Sequence, residues 1–219
     1  LIAADLARCR LYGIFDLSYV DRSEAEEVVG AMIDGGVEII QLRAKTQAPG
    51  EIAEIATALR EITARRAIPL IVNDHPEIAR DVEAEGVHVG QDDLSIAEVR
   101  EIVSPECIVG KSTHSLDQAI RASEEGADYI GFGPIFATPT KPDYQPVGLA
   151  DIRKVHDAVQ VPIFCIGGLK LENLPEVITA GAHRVVIVSG LLLAADIASY
   201  ARSAKQLLNR KSQIENPKS

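Results

Sequence analysis

The 219-residue chain has no run of roughly 18 apolar residues, the length a helix needs to span a bilayer, and no signal peptide precedes its first apolar stretch. These absences argue against a helical membrane protein, and a cytoplasmic location is expected. Basic charge is also scarce: 22 Lys and Arg face 32 Asp and Glu, a net charge of −10 with a pI near 5.0. Such a field repels nucleic acid and anionic lipid, so an anionic small ligand would need a local basic pocket. Cysteine is limited to Cys9, Cys107 and Cys165, an odd and widely spaced set with Cys107 and Cys165 inside apolar runs. They read as small core residues in a reducing compartment, ahead of nucleophiles. Met32 is the one methionine and position 1 is leucine, so the natural start is expected to be missing or trimmed.

Missing motifs narrow the chemistry further. A Gly-x-Gly-x-x-Gly does not follow the first strand, which removes the fingerprint of a doubly wound dinucleotide fold. Neither a Gly-x-Ser-x-Gly elbow nor a Cys–His pairing signal occurs, so nothing points to acyl transfer. His75, His88, His114, His156 and His183 have no spacing that sets two of them on one helix face. Zinc is therefore not expected, and each histidine reads as structural.

What the chain does have is alternation. Apolar runs rich in Val and Ile alternate with amphipathic stretches along nearly its whole length, the pattern of a parallel sheet with crossover helices. Strands are predicted at 10–16, 37–43, 68–73, 86–89, 107–112, 128–133, 162–166 and 184–189. Helices are predicted at 23–34, 50–65, 76–84, 95–103, 115–125, 149–159, 172–180 and 195–210. Eight such units close a (β/α)8 TIM barrel, a single domain over 1–210, with an open doubly wound sheet as the alternative. Gly36, Gly86, Gly126 and Gly181 each stand between a helix and an even-numbered strand, where left-handed helix stops belong. Residues 211–219 lack apolar periodicity and are expected to fray.

In a barrel of this kind the functional groups gather at the carboxyl ends of the strands. The sixth strand runs into a proline-stiffened loop that presents Thr138, Thr140 and Lys141. The second ends Gln41-Leu42-Arg43-Ala44-Lys45, and alternation turns Gln41, Arg43 and Lys45 to the barrel side. Strands three and four end in Asn73-Asp74 and Gly90-Gln91-Asp92-Asp93. Asp74 and Asp93, on neighbouring strands, would repel each other. Mg²⁺, which takes one or two protein carboxylates plus substrate phosphates, removes that cost. A helix N-cap is the plainer reading of either aspartate alone. Strand five ends at Ser112, and strand seven ends in a Gly167-Gly168 turn. With Val188-Ser189 after strand eight, that turn matches the backbone phosphate site of such barrels. The rim thus offers one basic anion site beside a metal and one built of backbone, as two phosphorylated substrates would require.

Read together, Gln-Leu-Arg-x-Lys at 41–45, Val-Asn-Asp at 72–74, Gly-Val-His-Val-Gly-Gln-Asp-Asp at 86–93, Ser-Thr-His at 112–114, Gly-x-Gly-Pro-Ile-Phe-x-Thr-Pro-Thr-Lys at 131–141, Ile-Gly-Gly at 166–168 and Val-Val-x-Val-Ser at 185–189 resemble the thiamine-phosphate synthase family. The match covers about residues 11–205 in the family's order. It implies a transferase that condenses 4-amino-5-hydroxymethyl-2-methylpyrimidine diphosphate with a thiazole phosphate, releasing diphosphate and giving thiamine phosphate. It implies Arg43, Lys45 and Lys141 as diphosphate ligands, and Asp74 and Asp93 as Mg²⁺ ligands. Gln41, Asn73 and Ser112 would position the pyrimidine, and Thr138 and Thr140 would lie by the thiazole phosphate or the reacting centre. Gly168, Val188 and Ser189 would form the backbone phosphate site, and Leu42 and Pro139 complete the substrate-contacting set. Arg43, Lys45, Ser112 and Lys141 are the residues expected to carry catalysis.

The chain departs from the family's usual pattern at Lys111, where a small or aliphatic residue is common, at Cys165 and Gly190, and in its loosely matching first strand. By alternation Lys111 points away from Ser112, so a structural or surface role is expected for it. Two rival readings are a thiazole tautomerase on the same barrel, which would lack the diphosphate residues, and a non-catalytic thiamine-phosphate-binding regulator. A homodimer is compatible with the sequence without being specified by it, and the same holds for either form of the thiazole, with or without an extra carboxylate.

Overall fold

The computed structural model describes residues 6–138 and 145–215, without the side chains of 211–215. Eight parallel strands follow one another around a closed ring: β1 (Leu11–Asp16), β2 (Ile39–Arg43), β3 (Leu70–Asn73), β4 (Gly86–Val89), β5 (Ile108–Thr113), β6 (Tyr129–Phe132), β7 (Ile163–Cys165) and β8 (Val185–Ile187). The ring closes where β8 pairs with β1, Tyr12 beside Val186. This is the expected barrel, and its closure excludes the open sheet. Between strands run α1 (Ala25–Asp34), α2 (Pro49–Arg65), α3 (Pro76–Asp81), α4 (Ile96–Ile102), α5 (Leu116–Glu124), α6 (Ile152–Ala158) and α7 (Leu174–Thr179), with α9 (Ile197–Glu215) after the last. Among the described residues no helix is long and apolar enough to cross a membrane.

The period of two along each strand sorts side chains into two cores. Leu11, Phe15, Ile40, Leu42, Val72, Val87, Val109, Ile130 and Val185 join the helices' buried faces in an outer layer. Leu6, Tyr12, Ile14, Ile39, Ile71, Ile108, Tyr129, Phe164 and Val186 fill the barrel. Phe164 meets Tyr12 and Tyr129 edge-on, with ring centroids 5.5 and 5.6 Å apart, the arrangement aromatic quadrupoles favour. These rings form the floor on which the polar ends of the strands stand.

Several helices start where local chemistry dictates. Pro49 opens α2 and Pro76 opens α3, positions where the missing N–H has no helical partner anyway. Ser95 and Glu98 form a reciprocal capping box at the start of α4. Three features differ from the sequence reading. Gly86 is not a left-handed helix stop; that conformation falls to Glu83, at φ 53°. Gly86 is glycine because a Cβ would lie 2.6 Å from Ile71 Cδ1 and 2.7 Å from the Ile108 carbonyl, where neighbouring strands crowd. A short helix, α8 (Ser189–Leu192), follows β8 directly, too brief to show periodicity in the sequence. The final helix runs to Glu215, past the expected end at 210, so backbone expected to fray from 211 is helical to that point.

Candidate active site

The carboxyl ends of the strands surround one cavity, lined among others by Tyr12, Gln41, Arg43, Asn73, His88, Ser112, Thr138, Gly168, Val188 and Ser189. Eight of the expected substrate residues therefore line one cavity: Gln41, Arg43, Asn73, Ser112, Thr138, Gly168, Val188 and Ser189. Leu42 does not: its side chain belongs to the outer layer beneath the helices, because it alternates with Gln41 and Arg43. Pro139, Thr140 and Lys141 lie outside the described residues.

The cavity's base is a chain of buried hydrogen bonds. Gln41 Nε2 donates to the Tyr12 hydroxyl at 2.8 Å, which lies 3.0 Å from the Tyr129 hydroxyl. Tyr129 is 2.9 Å from His88 Nδ1, and His88 Nε2 is 2.9 Å from Ser112 Oγ. Burial raises both phenols above their ordinary range, so they act as neutral donors and acceptors. Every group is satisfied when donation runs from Gln41 through Tyr12 and Tyr129 to His88 Nδ1, with Nε2–H donating to Ser112. That arrangement leaves the Ser112 hydroxyl hydrogen for a ligand. Gln41 and Ser112, the two ends expected to position the pyrimidine, are thus held through three residues between them.

At the edge of this wall stand Asp74 and Asp93. Their carboxyl groups are close enough to share a hydrogen bond, and Lys45 forms an ion pair with Asp74. Neither aspartate is a helix cap: α3 starts from His75 without a side-chain cap, and Ser95 caps α4. Asp93 instead accepts the Gly90 N–H at 2.7 Å, and the Asp74 N–H donates to the His88 carbonyl at 2.8 Å. Asp74 takes φ 66°, a left-handed conformation uncommon outside glycine and tolerated best by Asn and Asp. Burial raises the Asp74 carboxyl above its ordinary value against the pull of Lys45, and the neighbouring Asp93 raises it further. Burial acts on Asp93 in the same direction but is outweighed by the Gly90 N–H, Asp74, Lys45 and Lys111, which leave it below the usual range. Two touching carboxylates need a proton or a cation between them. That requirement, with oxygen-only donors open to one side, fits a hard divalent ion that completes its shell with water and phosphate.

The cations occupy defined places. Arg43 Nη1 bonds Asp16 Oδ2 at 2.7 Å, and its side chain is 13% exposed beside the cavity. Lys45 lies beyond the end of β2, half exposed. On the opposite wall, Gly167 and Gly168 take φ 98° and 66°, and a Cβ on Gly168 would lie 2.8 Å from the Ala137 carbonyl. The loop after β6 is tied to this turn: the Ile135 N–H donates to the Ile166 carbonyl at 2.8 Å and that of Phe136 to Gly167 at 3.1 Å. The start of α8 at Ser189 lines the same cavity as this turn, so the groups expected to hold a phosphate after the seventh and eighth strands lie together.

Lys111 faces outward as alternation predicts, but it is buried, with Nζ donating to the Leu94 carbonyl at 3.3 Å. Lys111→Ala is expected to leave the Michaelis constant for the pyrimidine diphosphate within about tenfold of the parent. Its cost is about 1 kcal/mol of stability from a lost buried hydrogen bond, read by urea titration. Burial pushes the Cys107 thiol up to about 11 and that of Cys165 to about 12, so neither is a nucleophile at neutral pH.

Three residues at or under the cavity were not singled out from the sequence, Asp16, Tyr12 and Tyr129, and His88 was read there as structural. Their signal was the same alternation that exposed Gln41 and Arg43. Asp16 follows Tyr12 and Ile14 on the inner face of β1, and His88 stands between outward Val87 and Val89 on β4.

A family model described as thiamine monophosphate synthase matches residues 11–191. The chain is 43% identical over 205 residues to a thiamine-phosphate synthase of Shouchella clausii, covering 93% of this chain and 98% of that one. It is 39% identical over 207 residues to one of Chloroflexus aurantiacus, covering 94% and 95%. Among solved structures, the thiamine phosphate pyrophosphorylase from Pyrococcus furiosus superposes with a TM-score of 0.85 at 30% identity, covering 93% of this chain and 97% of that one.

Proposed function

Since the chain belongs to the thiamine monophosphate synthase family, we propose that its cavity performs the family's condensation with the residues described above in distinct roles. The reaction joins 4-amino-5-hydroxymethyl-2-methylpyrimidine diphosphate to a thiazole phosphate and releases diphosphate. The observation that supports the assignment of roles is one cavity lined by both Arg43 and the Gly167–Gly168 turn with Ser189, in a closed ring where β3 and β4, which lead into Asp74 and Asp93, stand across from β7 and β8.

Gln41 and Ser112 orient the pyrimidine, with Asn73 beside them, so that its exocyclic CH₂–O bond faces the thiazole nitrogen. The C–O bond breaks with its electron pair passing to the diphosphate oxygen, and the thiazole nitrogen's lone pair forms the new C–N bond. The aminopyrimidine ring supports positive charge at the carbon between these events, so no protein nucleophile is needed. Arg43 and Lys45 stabilise the negative charge that accumulates on the departing diphosphate, and Lys141, by resemblance, joins them. Asp74 and Asp93 would hold Mg²⁺, which when bound neutralises diphosphate charge that two or three side-chain cations leave uncompensated. Lys45 must then exchange its contact with Asp74 for the diphosphate. The backbone turn after β7 and the start of α8 hold the thiazole phosphate, fixing the second reactant and reducing the entropy lost in the encounter. With a net charge of −10 the protein suits free small-molecule substrates in the cytoplasm, with neither nucleic acid nor membrane as partner.

The test is metal dependence. Diphosphate release from the two substrates is expected to fall at least about 10²-fold in excess chelator and to return with added Mg²⁺. Full activity in chelator would overturn the metal assignment while leaving the condensation intact.

A further inference from the structure

The geometry points to Asp16 as a positioning residue that sets the Arg43 guanidinium for the diphosphate, an inference that rests on the assignment of Arg43 to that group. Asp16 and Arg43 are register partners at the ends of β1 and β2, and the Leu17 N–H donates to the Arg43 carbonyl at 3.1 Å. Backbone and side chain of Arg43 are thus both fastened to the end of β1. The Asp16 carboxylate is itself fixed: Oδ2 accepts from Arg43 Nη1 at 2.7 Å, and Oδ1 accepts the Ser18 N–H at 2.9 Å. Its side chain is 1% exposed, whereas that of Arg43 reaches the cavity.

Stability alone does not account for this pair. Withdrawing two charges from water costs about as much as their attraction returns, so an apolar pair of similar volume would serve the barrel as well. A guanidinium has five N–H donors in a rigid plane, and the bond to Asp16 uses Nη1. An unrestrained arginine would have to give up its rotamer freedom as substrate arrives. With Asp16 that ordering occurs on folding, and the donors are in place before the leaving group carries its full charge. Lys45 differs in kind, because its partner Asp74 is the group assigned to the metal and the contact must break on loading. The Arg43–Asp16 bond has no such competitor and persists through the cycle.

A double-mutant cycle in the Mg²⁺-loaded enzyme tests this, with Asp16→Ala, Arg43→Ala and both together. Asp16→Ala is expected to lower kcat/KM for the pyrimidine diphosphate about 10²-fold and to weaken competitive inhibition by diphosphate, with the Michaelis constant for the thiazole phosphate within about twofold. The double variant should be no worse than Arg43→Ala, since Asp16 acts through that side chain. Asp16→Asn keeps one acceptor oxygen, enough to hold Arg43 at the expense of the Ser18 N–H, and should recover about tenfold of the loss. It also carries the cycle if Asp16→Ala does not fold. Additive losses, or equal damage to both substrates, would overturn the positioning role. An Arg43→Ala enzyme with unchanged diphosphate inhibition would instead overturn the assignment of Arg43 on which the inference rests.

Discussion

Asp93→Asn is expected to lower turnover by about 10²–10³-fold while the protein melts within about 2 °C of the parent. The carboxylate is charged where it matters: it sits against Asp74, and the Gly90 N–H, Asp74 and the nearby lysines hold it below the ordinary carboxylate range. Asparagine retains an oxygen for the Gly90 N–H at 2.7 Å, so the β4–α4 loop keeps its anchor. What is removed is one of the two negative charges that make the pair a site for a divalent ion. Asp74→Asn is the matching variant. Asparagine tolerates the φ of 66° at that position, so its effect also falls on chemistry rather than on backbone. Steady-state diphosphate release measures turnover, and circular dichroism on heating measures the fold. Full turnover in either variant would remove that aspartate from the mechanism, and a collapse of the melting temperature would mark it as structural.

Gly133→Ala is expected to cost about 3 kcal/mol of stability, or roughly 10 °C in Tm. A Cβ there would lie 2.0 Å from the Ile166 carbonyl oxygen, less than any non-bonded contact allows. The carbonyl cannot simply turn aside, because it accepts the Ile135 N–H at 2.8 Å while the Ile166 N–H is held by Phe132 at 3.0 Å. The backbone of β6 and the end of β7 must separate instead, loosening the Gly167–Gly168 turn that the same loop braces. The surviving folded protein should therefore also bind the thiazole phosphate less tightly. A thermal melt and the Michaelis constant for that substrate check both effects, and a Tm within about 2 °C of the parent would contradict the packing argument.

The barrel was legible because its information is local. Val and Ile runs at period two, amphipathic stretches between them and Pro or Gly at their ends specify eight strands and their inner and outer faces without reference to any distant residue. The same periodicity put Gln41 and Arg43 on the inner face and Lys111 on the outer one. It also turned Leu42 away from the cavity, against the place among the substrate-contacting residues that the resemblance implied. The aspartates were legible by their places at adjacent strand ends, although the N-cap reading could be dismissed only once Ser95 was seen to cap α4.

The partners within the site were not legible. That Asp16 faces Arg43, that Tyr12 and Tyr129 link Gln41 to His88, and that Glu83 rather than Gly86 turns left-handed all depend on register between strands separated by one or more helices. Nor could composition reveal that α8 starts immediately after β8, since four residues hold barely one turn. Alternation follows from the geometry of a single strand, and so the amino-acid order carries the fold class, the strand count and the direction each side chain faces. Hydrogen-bond partners are chosen by distances of a few tenths of an ångström across the closed ring, and these exist once eight strands have taken a common shear. The family's chemistry was therefore readable from residue types at strand ends, whereas the network that aims those residues came into view with the packed barrel.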